Sequence, residues 1–428
     1  MMSNQCKRLS AYRVSGALLS CLLLPALLLS MGSGGEPWSQ WGGTDRDFMV
    51  EDGEGLKPWK GDKPKQLWHR ELGDGYSTIV ADGDLLYTQY RPGDAETEYV
   101  VALRAADGKT VWELETKSPY TDMMKQFGPG PSSTPLVAED RVFAIGANMV
   151  LHCIDKKSGD VKWQKDLVKE FGATVPGRGY CASPLAFKDL LIVPLGAGEG
   201  KSIVAFKQGD GTVAWQGMDY QVAHSSPLLV TIEGIRHAVL ATKQHMIGFE
   251  PDSGKLLWEQ ELNPEGAYLS SPILVPGNKL FISSAYGGGS HLIQLQKDGD
   301  ALKADELWYG RKLRIHHANP IYMNGHVYGS SGDFGPAFVT CIDLESGDMK
   351  WRERGFSKAT LVQSGGQTVL LDEDGQLAIA ELSPDGMKTL CTAKVAELYA
   401  WAAPTLVDGR LYLRDRKHIM AFDLTGGR

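Results

Sequence analysis

The chain has 428 residues, 43% of them hydrophobic, with 50 glycines, 11 tryptophans and a formal net charge of −8. That length and apolar content exclude a disordered chain and a disulfide-stapled miniature domain, and the glycine and tryptophan richness favours tight turns and β structure over helix. The acidic balance, with no Lys/Arg cluster to reverse it locally, argues against nucleic acid and anionic lipid as partners.

In chain order, the first element is an export signal over residues 1–32. Lys7, Arg8 and Arg13 form its basic part, residues 16–29 its apolar part, and Ser30-Met31-Gly32 a small-residue cleavage site. About 14 apolar residues interrupted by Pro25 fall short of the ~20 that span a bilayer, so cleavage is expected and no transmembrane helix after it. Leu18-Leu19-Ser20-Cys21 superficially resembles a lipobox, but the most apolar stretch follows Cys21. The mature chain is expected to be exported, periplasmic or secreted.

Residues 33–60 are rich in Gly, Pro and charge and carry Trp38, Trp41 and Trp59. They read as a lead-in segment packed on the outside of the domain at 61–428. From there one phrase returns: an apolar strand, a polar residue plus Gly, then Trp four positions after that Gly. The copies are 101–112 (VALRAADGKTVW), 151–163 (LHCIDKKSGDVKW), 203–215 (IVAFKQGDGTVAW), 246–258 (MIGFEPDSGKLLW) and 339–351 (VTCIDLESGDMKW). Two copies are degraded: 292–308 stretches the gap from Gly299 to Trp308, and 377–390 has Leu390 in place of the tryptophan.

Each phrase predicts a β-hairpin whose Asp-Gly or Ser-Gly pair supplies the positive φ of a tight turn. An indole is too large for one hairpin to bury, so the predicted docking residues Trp68, Trp112, Trp163, Trp215, Trp258, Trp308 and Trp351 must pack on a neighbouring unit. A second phrase precedes each copy, small-small-Pro-apolar, as in SSTPL at 132–136 and SSPL at 225–228. Aligning its proline, with Thr78 and Thr360 standing in, gives positions 78, 135, 184, 227, 272, 320, 360 and 404. Eight units of four strands predict an all-β, eight-bladed β-propeller of four-stranded antiparallel blades, the radial architecture also built by WD40-type repeats. The last unit ends before a fourth strand, and Trp68 lies on a strand with no hairpin before it, so the N-terminal strand is expected to close the ring. Between units, 116–131 and 165–180 are long insertions, the second with one predicted helical turn at 166–171.

These AxDxxTGxxxW-like repeats resemble those of the pyrroloquinoline-quinone (PQQ-like) propeller superfamily over nearly everything after the signal. The opening WSQWGGTDRD at 38–47 and EFGATVPGRGYCASPL at 170–185 resemble the secreted quinone-repeat-like propellers of planctomycete-type bacteria. Two branches matter. In quinoprotein alcohol dehydrogenases the centre holds the quinone and calcium beneath an adjacent Cys-Cys disulfide; in the assembly-factor branch of the outer-membrane β-barrel insertion machinery the same fold is a non-catalytic scaffold.

Cys153, Cys181, Cys341 and Cys391 follow the signal with no vicinal pair, so neither a quinone nor calcium is expected, and no catalytic or metal-binding residue is assigned. Cys153 and Cys341 stand where sister units carry Ala102 and Ala205, which reads as small buried packing. Asp372-Glu373-Asp374 reads as a solvated turn. Three positions before each aligned proline lie Gly75, Ser132, Cys181, His224, Leu269, His317, Ser357 and Trp401, and one earlier Tyr180, Tyr268, His316 and Phe356. With Arg178, the residues Tyr180, His224, Tyr268, His316, His317 and Trp401 are candidates to line a central funnel for a small anionic or planar ligand. On a strand, only one of the adjacent histidines can face it.

The expected function is an exported, non-catalytic propeller that binds a protein or cell-envelope partner through its inter-blade loops and lead-in. The alternatives are a quinone-dependent dehydrogenase and a propeller that binds a small molecule or polysaccharide in its funnel.

Overall fold

The computed structural model describes residues 37–50, 56–93, 96–119, 128, 130–299, 301–333, 337–397 and 399–426. The predicted export signal lies outside the described residues. Eight antiparallel sheets repeat along the chain as the blades of a propeller. Blade 1 comprises Val80–Asp82, Leu85–Tyr90, Thr97–Arg104 and Thr110–Lys117. Blades 2 to 7 follow in the same order from innermost to outermost strand, starting at Leu136, Leu185, Leu228, Ile273, Ile321 and Thr360.

The burial pattern follows from the radial stacking. The second and third strands are covered on both faces by neighbouring blades, so Leu85–Tyr90 and Arg141–Ile145 are almost continuously buried. Outermost strands such as Thr110–Lys117 alternate between exposed and covered residues.

Blade 8 contributes Thr405–Val407, Arg410–Arg414 and His418–Asp423, and its fourth strand is the N-terminal Lys65–Glu71. Trp68 pairs with Ala421 and Arg70 with Ile419, so the ring closes as the repeat count requires.

The Gly-x-x-x-Trp phrase acquires a physical meaning here, because its two ends serve different blades. The Trp68 indole lies on Gly108 of blade 1, Trp112 on Gly159 of blade 2, Trp163 on Gly211 of blade 3, Trp215 on Gly254 of blade 4 and Trp308 on Gly347 of blade 6. Each indole N–H donates to the carbonyl three residues before that glycine: Ala105 (2.9 Å), Lys156 (3.1 Å), Gln208 (2.9 Å), Pro251 (2.8 Å) and Leu344 (2.9 Å). Trp351 reaches Ser383 in the same way, at 2.7 Å. Trp258 faces the stretched blade 5 hairpin, and its Nε1 is buried without a partner. Opposite the tryptophans across the outer hairpin stand Ala102, Cys153, Ala205, Gly248 and Cys341, small residues that leave room for the ring.

The helical turn is present at Leu167–Phe171, with Asp166 accepting from the Lys169 N–H and Gly172 in the left-handed conformation. The acidic run 372–374 departs from the solvated turn expected of it. Asp372 is buried, and Glu373 accepts from Lys358 Nζ (2.9 Å) and Ser357 Oγ (2.7 Å). Among the described residues no helix is long and apolar enough to cross a membrane.

Candidate functional site

The channel is built in three tiers, and the deepest overturns the reading of the lead-in for residues 37–50, whereas 56–60 do pack outside, with Lys57 N on the Leu424 carbonyl at 2.9 Å and Trp59 beside Cys391 of the outermost strand of blade 7. Residues 37–50 do not pack outside; they run through the channel. The Trp38 carbonyl accepts from Ala81 N of blade 1 (2.9 Å), the Ser39 carbonyl from Val137 N of blade 2 (2.8 Å), and the Phe48 carbonyl from Gln363 N of blade 7 (2.9 Å). Met49–Val50 then adds a parallel strand against Gln363 and Ser364. Gly42 and Gly43, both at positive φ, let the segment fold back so that Phe48 N bonds the Gly42 carbonyl at 2.9 Å.

Arg46 pins this plug. It is 2% exposed and donates to Gln40 Oε1 (2.9 Å), to the Pro227 carbonyl (2.8 Å) and to the Pro184 carbonyl. Burial pushes its guanidinium down to about 9. The signal for this residue was a lone arginine between a Gly-Gly pair and a phenylalanine, among tryptophans too apolar for a surface lead-in.

The middle tier is a chain of side-chain oxygens. Ala403 N donates to Thr78 Oγ1 (3.2 Å), Thr78 N to Thr134 Oγ1 (3.2 Å), and Thr134 N to Ser183 Oγ (3.1 Å). Ser183 N then donates to Ser226 Oγ (2.8 Å), Ser226 N to Ser271 Oγ (2.9 Å), and Ser271 N to Asn319 Oδ1 (3.0 Å). Blades 1 to 6 thus each cap a backbone N–H of a neighbour at the mouth of an innermost strand.

This tier also corrects the alignment. Thr78 occupies the position before the proline, with Ile79 in the proline's place. Thr360 lines the channel with Thr134 and Ser226 in the same way. Blades 1 and 7 are therefore shifted by one, and Tyr76 instead of Gly75 lines the funnel.

Above the oxygens lies a cavity of about 150 Å³. Of the predicted lining residues, Arg178, His224, His316, His317 and Trp401 surround it, with Cys181, Ser132 and Leu269, while Trp41 and Phe48 of the plug reach it from below. Tyr180 and Tyr268 do not line it. Tyr180 is buried between blades with its hydroxyl on the Pro194 carbonyl (2.9 Å), and Tyr268 is fully buried with its hydroxyl on the Asn263 carbonyl (3.1 Å). Both histidines line the cavity, against the strand argument, because they sit in an irregular segment between blades where strand alternation does not apply.

The electrostatics divide the wall. Burial holds His316 down at about 4 and His317 well below the ordinary histidine value, so both are neutral. On the other side burial raises the Cys181 thiol, but His224, Ser132 and Arg178 outweigh it, and the thiol lies below its ordinary range. The Cys181 charge correspondingly raises His224 against the effect of burial. Trp401 donates its Nε1–H to Glu373 Oε2 at 3.0 Å.

A quinone with calcium does not fit this wall. Calcium takes six to eight oxygen ligands, several of them carboxylates, and no carboxylate is among the described residues that line the cavity. The cysteines at 153, 181, 341 and 391 are all free thiols, so no vicinal disulfide covers it.

Fold and repeats together define a PQQ-like β-propeller. Residues 96–353 match the family described as outer membrane protein assembly factor BamB, more than half of the chain, and the chain belongs to that family. It is 23% identical over 321 residues to the outer membrane protein assembly factor BamB of Yersinia pestis, covering 70% of this chain and 73% of that one. Among solved structures, BamB from Moraxella catarrhalis superposes with a TM-score of 0.60 at 15% identity, covering 84% of this chain and 100% of that one. The quinohemoprotein alcohol dehydrogenase of Comamonas testosteroni superposes with a TM-score of 0.60 at 13% identity, covering 92% and 81%. These structural likenesses establish the fold and not the activity.

Proposed function

We propose that this protein is an exported, non-catalytic scaffold that holds a protein partner in outer-membrane protein assembly and needs neither quinone nor calcium. The observation that carries the reading is the match of 96–353 to a family described by that role. Residues 37–50 of the lead-in are taken up by the channel, with Trp38 buried, so the binding surface is the opposite, funnel-side face that bears the 165–180 insertion. The donor set of the cavity wall supports the same reading, since the described residues that line it include none of the carboxylates a calcium-quinone centre needs.

The test is deletion of the gene in its own host, with outer-membrane β-barrel proteins quantified and crosslinked partners of the tagged full chain identified. Depleted barrel proteins and crosslinks from the 165–180 insertion to an assembly component are expected. Unchanged barrel levels would overturn the reading. So would stoichiometric binding of added pyrroloquinoline quinone and calcium with alcohol-dependent dye reduction.

A further inference from the structure

The cavity above the oxygens has the dimensions of a single ring. Its volume of about 150 Å³ is that of an apolar cavity that takes up one benzene molecule. A six-membered ring with a short substituent fills it, and a three-ring quinone exceeds it. Its apolar lining is largely aromatic. Trp401, on the segment entering blade 8, is half-buried, and its ring stands 5.1 Å from Tyr76, 4.6 Å from Tyr399 and 5.4 Å from His317. Its indole N–H is held by Glu373 at 3.0 Å, so the ring is in position before any ligand arrives. Below, the half-buried Trp41 stands edge-on to Phe48 at 5.1 Å, and Leu269 lines the cavity from the segment entering blade 5. Aromatic walls favour a further ring, offset or edge to face, by about 0.5–1.5 kcal/mol beyond the area it buries.

The charge around this space is one-sided. Arg178 lines the cavity, is half-buried, and is hydrogen-bonded to the Tyr286 hydroxyl, which sets its position. Among the described lining residues it is the only lysine or arginine, and none is a carboxylate. Glu373 and Asp333 do not line the cavity: Glu373 is engaged by Lys358 at 2.9 Å, and Asp333 accepts from Tyr286 N at 3.1 Å and stands 3.6 Å from Arg314. His316 and His317 are neutral, and the hydrogen-bonded pair Cys181 and His224 carries no net charge whichever of the two holds the proton. An anion entering the cavity meets a guanidinium and no net negative charge. The planar fork of that group matches a carboxylate.

We propose that the funnel binds a small, single-ring aryl carboxylate, with the ring against Trp401 and over Trp41 and the carboxylate on Arg178. The ligand is held and released unchanged. The site is independent of the scaffold reading, since it uses the interior of the funnel and not the face around it.

The experiment titrates the purified full chain with 4-fluorophenylacetate, with its neutral amide 4-fluorophenylacetamide, and with acetate, by calorimetry and fluorine NMR. The aryl acid is expected to bind about tenfold or more tightly than the amide, and acetate not measurably. Arg178→Gln, a change at a half-buried residue of an inter-blade insertion, should bring acid and amide to within about twofold of each other without weakening the amide. Leu269→Trp, which fills the cavity, should abolish binding of both. A peptide ending in 4-fluorophenylalanine offers the same ring and carboxylate from a chain terminus: its exclusion is expected, and tighter binding than the free acid would overturn a small molecule as the source. Equal affinities for acid and amide in the unmodified chain, or an acid that binds Leu269→Trp as well as the parent, would overturn the proposal without bearing on outer-membrane assembly.

Discussion

Replacing Gly211 by alanine tests whether blades cohere through indole-on-glycine contact. Gly211 sits at φ +72°, and a Cβ there would lie 2.7 Å from Trp163 Cδ2. The left-handed backbone alone costs a non-glycine residue about 1–2 kcal/mol. The indole must also retreat by several tenths of an ångström. That weakens its N–H bond to the Gln208 carbonyl at 2.9 Å, worth about 1 kcal/mol, and opens its packing between Phe143 and Phe206. Overpacking of this kind, the weakened bond included, costs about 1–3 kcal/mol, so with the backbone term the total is about 2–5 kcal/mol. Gly234 is a matched control, at φ +76° with nothing within 4 Å of its Cβ, so Gly234→Ala should cost only the backbone term. Urea denaturation followed by far-ultraviolet circular dichroism measures both. If the two costs agree within about 0.5 kcal/mol, or if Gly211→Ala costs as much in a Trp163→Ala background, the docking account is wrong.

Three further outcomes are expected. Asp372→Asn keeps the acceptor for Gln376 N at 2.8 Å but removes a carboxyl that burial raises to about 6. Ionised Asp372 is thus penalised in the fold, fully above pH 6 and not at all below about 4. The variant should be more stable than the parent at pH 8, by at most ~3 kcal/mol, with the gain gone near pH 4; a difference that ignores pH refutes this. Ser226→Ala removes the acceptor of Ser183 N and should cost about 1–2 kcal/mol, with faster amide exchange at Ser183 by mass spectrometry. Arg46→Ala strips the donor from the Pro184 and Pro227 carbonyls; relief of charge burial offsets part of the loss, leaving about 2–4 kcal/mol of destabilisation and protease cleavage within 37–50. A more stable Arg46→Ala variant would show that the plug is not held by this residue.

The blade count and its closure were legible because both rest on a local phrase, Gly-x-x-x-Trp, repeated with few errors. What the phrase hid was its cross-blade meaning: glycine and tryptophan of one copy look close in sequence yet serve opposite neighbours. The funnel was half legible. His224, His317 and Trp401 fall on the cavity because their blades keep the proline that sets the register. Blades 1 and 7 lack it, so counting from Thr78 pointed to Gly75 and passed over Tyr76. Tyr180 and Tyr268 were misplaced for another reason: a fixed offset assumes strand geometry, and these residues precede the strand, with Tyr268 at φ +36°. Arg46 was invisible because its partners are two proline carbonyls 138 and 181 residues away.

The threading of 37–50 through the channel has a consequence for how the molecule is made. These residues leave the ribosome before any blade, yet they bond to blades 1, 2, 3, 4 and 7, and the strand that follows them finishes blade 8. Neither can settle until nearly the whole chain has been synthesised, so the first-made part of the domain is among the last to find its place. A circular permutant opened at an exposed hairpin such as Asn324-Gly325 would place the closing strand after its blade 8 partners, so that this pairing no longer has to wait for the end of the chain.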